Sequence, residues 1–474
     1  MIESYPWLAV VPPLVVVFVA IKYKKIFLAM FLGLWIGATF MANGNPLRGL
    51  FFSIERCLDV LKDGALAKVV LFCCFVGAVM ALTQRSGGIR GFIEYVTMRN
   101  IVKSRRQAEF LTVAIGAMIP IESSINILIP GSISRPLFDE LKISREKLAF
   151  LCLSFCAPIC TVIPINAWGA YVSGIMASQG IAQPFHVYLE AIPFNLYSFF
   201  TMGFALLLII TQKDYFAMAK AERRSREGNQ PKQRADNSAL SGDGLVVEPK
   251  ENIKPHFSNM LVPVAAMILA MIAGMFITGH GRFTEGSGST AVFYAVLFAI
   301  MIAGIKYRIS GILSFAETSS LFFNAVGGLA GMGFLITLSF ALSTLCVDLK
   351  TGTFVAGAAQ HVISMKLIPV VLFSLTAYIS FAIGTAWGAW AIMFPIGLGL
   401  IHGNHIQMLM AIGAMMSGGV FGNHCSPIAD TTIMASLASG SDHMDNVNAI
   451  LPYALGVAAF TGIVYLIMGI IFFR

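Results

Sequence analysis

Charge is scarce in this 474-residue chain. Asp, Glu, Lys and Arg make up only 12% of it, against about 25% in an ordinary soluble domain. Hydrophobic residues make up 57% and the mean hydropathy is +0.79. A single soluble core cannot absorb that many apolar side chains, whereas a bilayer can. The chain also lacks a CxxC pair and any ligand-like histidine spacing among its eight cysteines. That excludes a redox pair or a zinc ribbon. Cys73, Cys74, Cys152, Cys156 and Cys160 lie in apolar stretches and read as small buried hydrophobes. No HExxH motif and no nucleophile–base constellation is present, so a membrane-embedded enzyme would lack its chemistry. The first residues, Met1 to Trp7, carry Glu3 and no basic n-region. The apolar run Trp7 to Ile21 therefore reads as a retained helix rather than a signal peptide.

Long apolar runs fill the rest. Runs of about 20 residues suffice to cross a bilayer, and they fall near 7–21, 26–42, 67–84, 148–178, 189–211, 258–279, 289–305, 328–347, 406–440 and 450–472. Two more, 108–133 and 367–401, are interrupted by glycine and proline: Gly116, Pro120, Pro130 and Gly131 in the first, Gly384, Gly388, Pro395, Gly397 and Gly399 in the second. The net charge is +8, and its positive residues sit between apolar runs. This is the positive-inside pattern of a membrane protein rather than a nucleic-acid surface. Basic residues flank 108–133 on both sides, Arg99 to Arg106 before it and Arg135, Lys142, Arg145 and Lys147 after it. Both flanks favour the cytoplasm, so the segment reads as a re-entrant hairpin, tolerated at membrane depth only where protein or a wet cavity surrounds it. Treating 367–401 alike predicts an all-α membrane protein with ten crossings, two hairpins and both termini outside. Segments 47–62 and 309–325 mix apolar and charged residues and read as interfacial helices.

Short matches suggest an internal repeat: Ala81-Leu82-Thr83 with Ala341-Leu342-Ser343, Ala114-Ile115-Gly116 with Ala382-Ile383-Gly384, and Cys156-Ala157-Pro158-Ile159 with Cys425-Ser426-Pro427-Ile428. Their shared order carries the argument, since each alone is cheap. The expected organisation is a first membrane repeat at 1–212, a flexible cytoplasmic linker with a helical start at 213–257, and a second repeat at 258–474. Five crossings per half invert the second repeat. Interrupted segments meeting near the midplane of inverted repeats are a construction plan of secondary transporters. An ion channel would instead show unsaturable flux and no coupling.

The densest polar stretch within an apolar run is 417–432. Its glycines and Pro427 predict an unwound helix, with Asp430 deep in the membrane as a functional candidate. Oxygens of Asp430, Ser426, Thr431 and Thr432 suit a hard cation such as sodium, and the carboxylate would also serve as a proton carrier. A structural alternative stands beside this, with Ser426 as N-cap, Pro427 at N1 and Asp430 in the first turn. Asn423 and His424 are further candidates, His424 as a proton group or as a hydrogen-bonded structural histidine. In the first half, Pro158 and Pro164 break the matching crossing, where Thr161 aligns with Asp430 and Asn166 and Trp168 follow. The hairpin there carries Glu122, Ser123, Ser124 and Asn126, a second polar tip or a self-capping turn. The position matching Glu122 in the second hairpin is Trp390. That hairpin offers Thr385 as a ligand, and its Trp387 and Trp390, with Trp168, line an organic-solute pocket or simply pack.

The run from Gly422 to Thr432, with Ser426-Pro427, two residues, then Asp430-Thr431-Thr432, resembles the signature of the NhaC-type sodium/proton antiporter family. Chain length and two-half layout agree over nearly the whole chain. The resemblance implies a scaffold plus a transport domain moving elevator-fashion, often in a homodimer, with Ser426, Asp430, Thr431 and Thr432 as the cation site. One departure matters: Asn423 stands where that pattern commonly has Asp, which removes a charge. The expected function is ion-coupled secondary active transport, Na+/H+ antiport first and sodium- or proton-coupled movement of an amino acid or small organic carboxylate as the alternative. The expected setting is the inner membrane, among lipid, with sodium or proton as coupling ion, no other cofactor and no nucleic-acid partner.

Overall fold

The structure is a computed structural model that describes residues 5–473 apart from 24, 89, 92–103, 119–122, 165, 229–246, 248, 251–252, 283–284, 361–363 and 402–404. Among the described residues every regular element is a helix. After a 3-10 turn at Pro6–Val10 come α1 (Val11–Tyr23), α2 (Ile26–Met41), α3 (Pro46–Lys62) and α4 (Gly64–Arg85), then α5 (Arg105–Met118) and α6 (Ser123–Glu140). Next are α7 (Arg145–Leu151), a π turn at Cys152–Cys156, α8 (Ala157–Val162), α9 (Ala167–Ser178), α10 (Pro184–Ala191), α11 (Leu196–Thr211) and α12 (Phe216–Arg226). The second half holds α13 (Ser258–Thr278), α14 (Gly288–Ile309), α15 (Phe315–Asp348), α16 (Thr351–Gln360), α17 (Ile368–Ile383), α18 (Ala386–Gly399), α19 (His405–Cys425), α20 (Asp430–Ser439) and α21 (His443–Phe472).

Eight helices are long and apolar enough to cross a membrane, or up to 11 if each of three bent pairs is one span. Large apolar side chains such as Leu14, Phe18, Leu269, Ile277, Tyr294, Phe323, Phe460 and Ile463 are exposed along them. In water such a belt would be a liability, and in lipid it is the solvated face. The chain is a multi-pass membrane protein.

The breaks follow local chemistry. Asn166 caps α9 through Trp168 N and Gly169 N, after Pro158 and Pro164 have interrupted the preceding helix. The pair Arg145–Val162 and Ala167–Ser178 is bent by 50° there. The two interrupted segments each form a packed helix pair, α5 with α6 and α17 with α18. The stretch Met365–Ile383 is by itself long enough to span.

Two expectations change. Segment 309–325 is not a separate interfacial helix: Ser314 and Glu317 form a capping box that starts α15, which then runs unbroken for 34 residues. Its first-half counterpart, Pro46–Lys62, does stand alone, bent by 117° from α2 and ended at Asp63, whose carboxylate caps α4. Gly418, Gly419 and Gly422 do not unwind α19, which stays helical to Cys425. They serve close approach instead. A Cβ at Gly422 would lie 2.4 Å from Ala377 O, and one at Gly419 would lie 2.0 Å from Trp390 Nε1.

Candidate functional site

Only four residues, 426–429, separate α19 from α20. Ser426 does not cap the new helix. The cap is Ala429, which has no side-chain cap bond, and Asp430 is the first helical residue. Ser426 Oγ instead donates to Phe381 O at 2.7 Å, and His443 Nε2 meets Pro427 O at 2.6 Å. The break in α19–α20 lies against the break in α17–α18. Gly384, at φ +79°, ends α17, and a Cβ on it would sit 2.8 Å from Ile428 O. Gly384→Ala is therefore expected to cost about 1–2 kcal/mol for the left-handed backbone plus the clash with Ile428. It should show as a lower melting temperature in detergent.

Beside this contact lies a cavity of about 20 Å³ lined by Ser123, Ala157, Pro158, Thr161, Trp168, Ala386, Asn423, His424 and Thr431, with Leu153 and Val420. That is room for one water-sized guest. Its walls come from α6, α8, α9, α18, α19 and α20, so all four interrupted segments of the chain reach one point. Six of the residues singled out from sequence line it together: Ser123, Thr161, Trp168, Asn423, His424 and Thr431. Asn423 anchors the site. Its backbone carbonyl accepts from Thr431 Oγ1 at 3.5 Å and Thr432 Oγ1 at 3.4 Å. Its Oδ1 is buried without a hydrogen-bond partner among the described residues. Asp430 is exposed while Ala429, Thr431 and Thr432 are buried, and its Oδ1 accepts from Thr431 N at 2.8 Å.

The other candidates divide into support and surroundings. Asn126 Nδ2 donates to Cys156 O at 2.6 Å, answering a carbonyl of the π turn, while its own Oδ1 is buried and unpartnered among the described residues. Asn166 Nδ2 takes Cys160 O at 2.6 Å and Ile163 O at 3.0 Å, so it holds the broken helix together. Thr385 is the N-cap residue of α18 without a side-chain cap bond, next to Ala386 in the cavity wall. Both ring nitrogens of His424 are engaged, Nδ1 with Tyr197 OH at 2.8 Å and Nε2 with Ser154 Oγ at 3.1 Å. That is the hydrogen-bonded structural arrangement. Trp168 stacks on Trp387 at 4.4 Å and meets Trp390 edge-on at 5.1 Å. Trp387 and Trp390 are buried and do not line the cavity. Trp168 does, and its Nε1 donates to Ser123 Oγ at 2.9 Å. The tryptophans form a packed floor rather than an open pocket. Glu122 lies outside the described residues, as does the side chain of Ser124.

Sequence reasoning missed a buried hydroxyl and amide chain behind the cavity. Thr161 Oγ1 bonds Ser198 Oγ and Asn195 Nδ2, both at 3.0 Å. Asn195 Oδ1 accepts from Ser417 Oγ at 3.1 Å, which meets Tyr465 OH at 2.7 Å. A signal was present: Asn195 follows Pro193 inside an apolar run, and the chain bends by 46° there.

A multi-pass helical fold whose interrupted segments converge on one small polar cavity matches a construction plan of secondary transporters. A family profile described as Na+/H+ antiporter family matches residues 159–470, and the chain belongs to that family; it is an ion-coupled transporter. An uncharacterised Haemophilus influenzae protein is 26% identical over 98% of this chain and 91% of its own length. The arginine/ornithine antiporter ArcD of Halobacterium salinarum is 26% identical over 46% of this chain and 43% of its own. The malate-2H(+)/Na(+)-lactate antiporter of Bacillus subtilis is 30% identical over 28% of this chain and 31% of its own. In fold, the chain resembles the Alcanivorax borkumensis YdaH transporter, with a TM-score of 0.57 at 13% identity over 94% of this chain and 97% of that one.

Proposed function

We propose that this chain is a sodium- and proton-linked antiporter of the inner membrane, with its cation site at the meeting of the four interrupted segments. The unpartnered, buried Asn423 Oδ1 carries the reading. A lone acceptor in a cavity of one-guest size favours a cation bound by oxygens. Ser123 and Thr431 hydroxyls complete the neutral wall, and Asp430, beside Thr431, supplies the exchanging charge, with Glu122 as a second carboxylate from the other half. Sodium and proton would compete for these groups in alternating-access states.

The architecture proposed with it is an inverted pair of repeats, 1–212 and 258–474, joined by the linker 213–257. The parallel order of elements supports it: α4, the pair α5–α6, the broken span α7–α9 and α11 in one half, and α15, the pair α17–α18, the broken span α19–α20 and α21 in the other. The interrupted segments would move as a transport body against α2–α4 and α13–α15 as scaffold, in a homodimer.

A second reading, exchange of an amino acid or small carboxylate, draws on the neutral Asn423 and on the names of the two partial relatives. It also has a space to use. A cavity of about 360 Å³ lies between α4, α9, α10 and the start of α14, lined by Ser173, Gln183, His186 and Glu285 among others. That is the size of a small-molecule site.

A sodium pulse to proteoliposomes carrying the full chain, read by an internal pH dye, tests the first reading. Saturable sodium-driven proton movement is the expected result. Silence from folded protein would sink antiport under those conditions, and labelled amino acids and carboxylates would then be tried.

A further inference from the structure

Far along the chain from Asp430, a second group of charges is buried at the linker end of the bundle. Lys147 on α7 is 1% exposed and lies 3.1 Å from Glu109 Oε1 on α5 and 3.1 Å from Asp214 Oδ2 before α12, whose side chains are 0% and 6% exposed. Glu222 on α12, 4% exposed, is paired with Arg105 of α5 and accepts from Ser144 N at 2.8 Å. Gln212 Nε2 donates to Glu109 Oε2. The neighbouring charges on the packed elements are already matched. Arg224 pairs with Glu146 and approaches Asp445 of α21 at 3.7 Å, and Arg145 pairs with Asp139. Tyr453 of α21, a further titratable neighbour, exchanges hydrogen bonds with the Tyr215 backbone through its hydroxyl.

The inner group thus holds three carboxylates, Glu109, Asp214 and Glu222, against two cations, Lys147 and Arg105. Among the described residues the buried Asp214 Oδ1 accepts no hydrogen bond, and the buried Glu109 Oε1 relies on the Lys147 ammonium that it shares with Asp214. An uncompensated negative charge out of water is costly, and the cheapest neutraliser is a proton. Two acids facing one ammonium titrate as a pair and not as independent residues.

We propose that Glu109, Asp214 and Lys147 form a proton-binding site, separate from Asp430, that holds one exchangeable proton between the two carboxylates. Burial pushes the Asp214 carboxyl up, against the pull of Lys147. The proton is taken from and returned to the aqueous phase beside the linker, with no bond other than O–H made or broken. Its position gives it a consequence. Glu109 and Lys147 belong to the interrupted segments, whereas Asp214 and Glu222 tether the linker helix α12. Proton occupancy therefore sets how firmly the linker is docked on the elements that carry the cavity.

The test is infrared difference spectroscopy on the reconstituted full chain between neutral and alkaline pH. The wild type is expected to show a carboxylic-acid carbonyl band worth about one proton per chain. Glu109→Gln and Asp214→Asn should each remove it, and Asp430→Asn should leave it. No protonated carboxyl in the wild type, or a band that both variants leave unchanged, overturns the proposal. Should both variants fail to fold, Asp214→Glu keeps an acid in place and must shift the band; an unmoved band again overturns it. None of these outcomes depends on whether the chain carries out sodium/proton antiport.

Discussion

Asp430→Asn is expected to leave a folded protein that has lost sodium-driven proton movement. The side chain is exposed and its recorded side-chain bond, Asp430 Oδ1 with Thr431 N at 2.8 Å, is one that an amide oxygen makes equally well. Stability should change by no more than about 0.5 kcal/mol, as at other exposed sites. Function should change far more. A charged acceptor is worth roughly 1.5–3 kcal/mol to a bound partner, or about 10- to 150-fold in affinity, and an amide carries no exchangeable proton. In proteoliposomes the variant should give no dye response to a sodium pulse, with unaltered elution and melting in detergent. A variant that exchanges at the wild-type rate would remove Asp430 from the cation site. Asn423→Asp offers a complementary expectation. It puts a carboxylate at the unpartnered Oδ1, so apparent sodium affinity should rise and become more strongly pH-dependent, measured by the sodium concentration giving half the dye response.

Lys147→Met should be the most destabilising single replacement at the linker end. It removes the ammonium between Glu109 and Asp214 and leaves two carboxylates buried. Breaking such a pair from one side costs about 3–5 kcal/mol. The sign of the pH dependence follows from the acids. With Lys147 gone, each folded-state carboxyl lies above its unfolded value, so the protein is relatively more stable in acid and loses stability as pH rises through the folded value. Melting temperatures of Lys147→Met should therefore fall furthest behind wild type at alkaline pH. Adding Glu109→Gln and Asp214→Asn should recover much of the loss, because the carboxylates no longer need a partner. Equal losses at acid and alkaline pH would show that Lys147 acts by packing alone.

The sequence by itself determined the class of molecule, because composition and the length of apolar runs are local quantities that a bilayer selects directly. It also marked the interrupted segments, since proline and glycine act on their own backbone: the breaks at Pro158–Asn166, Gly384–Thr385 and Ser426–Ala429 all lie where those residues stand. The polar composition of the stretch 417–432 was legible as well, since composition is local. What those residues do to one another was decided only by tertiary structure. Gly418, Gly419 and Gly422 looked like helix breakers, yet they are contact points for α17 and Trp390, a role that depends on a partner helix. Ser426, read from sequence as a cation ligand or a helix cap, does not cap α20, and its hydroxyl is tied to Phe381 O. For Trp387 and Trp390 the sequence left a pocket and simple packing open, and in the structure Trp387 stacks on Trp168 while Trp390 meets it edge-on. The convergence of Ser123, Thr161 and Asn423, remote in the chain, needs six helices to pack. Lys147, which sequence placed among ordinary positive-inside charges, is sealed between two carboxylates from distant elements. Burial and pairing of a charge depend on what the rest of the chain brings against it, and no window along the sequence contains that information.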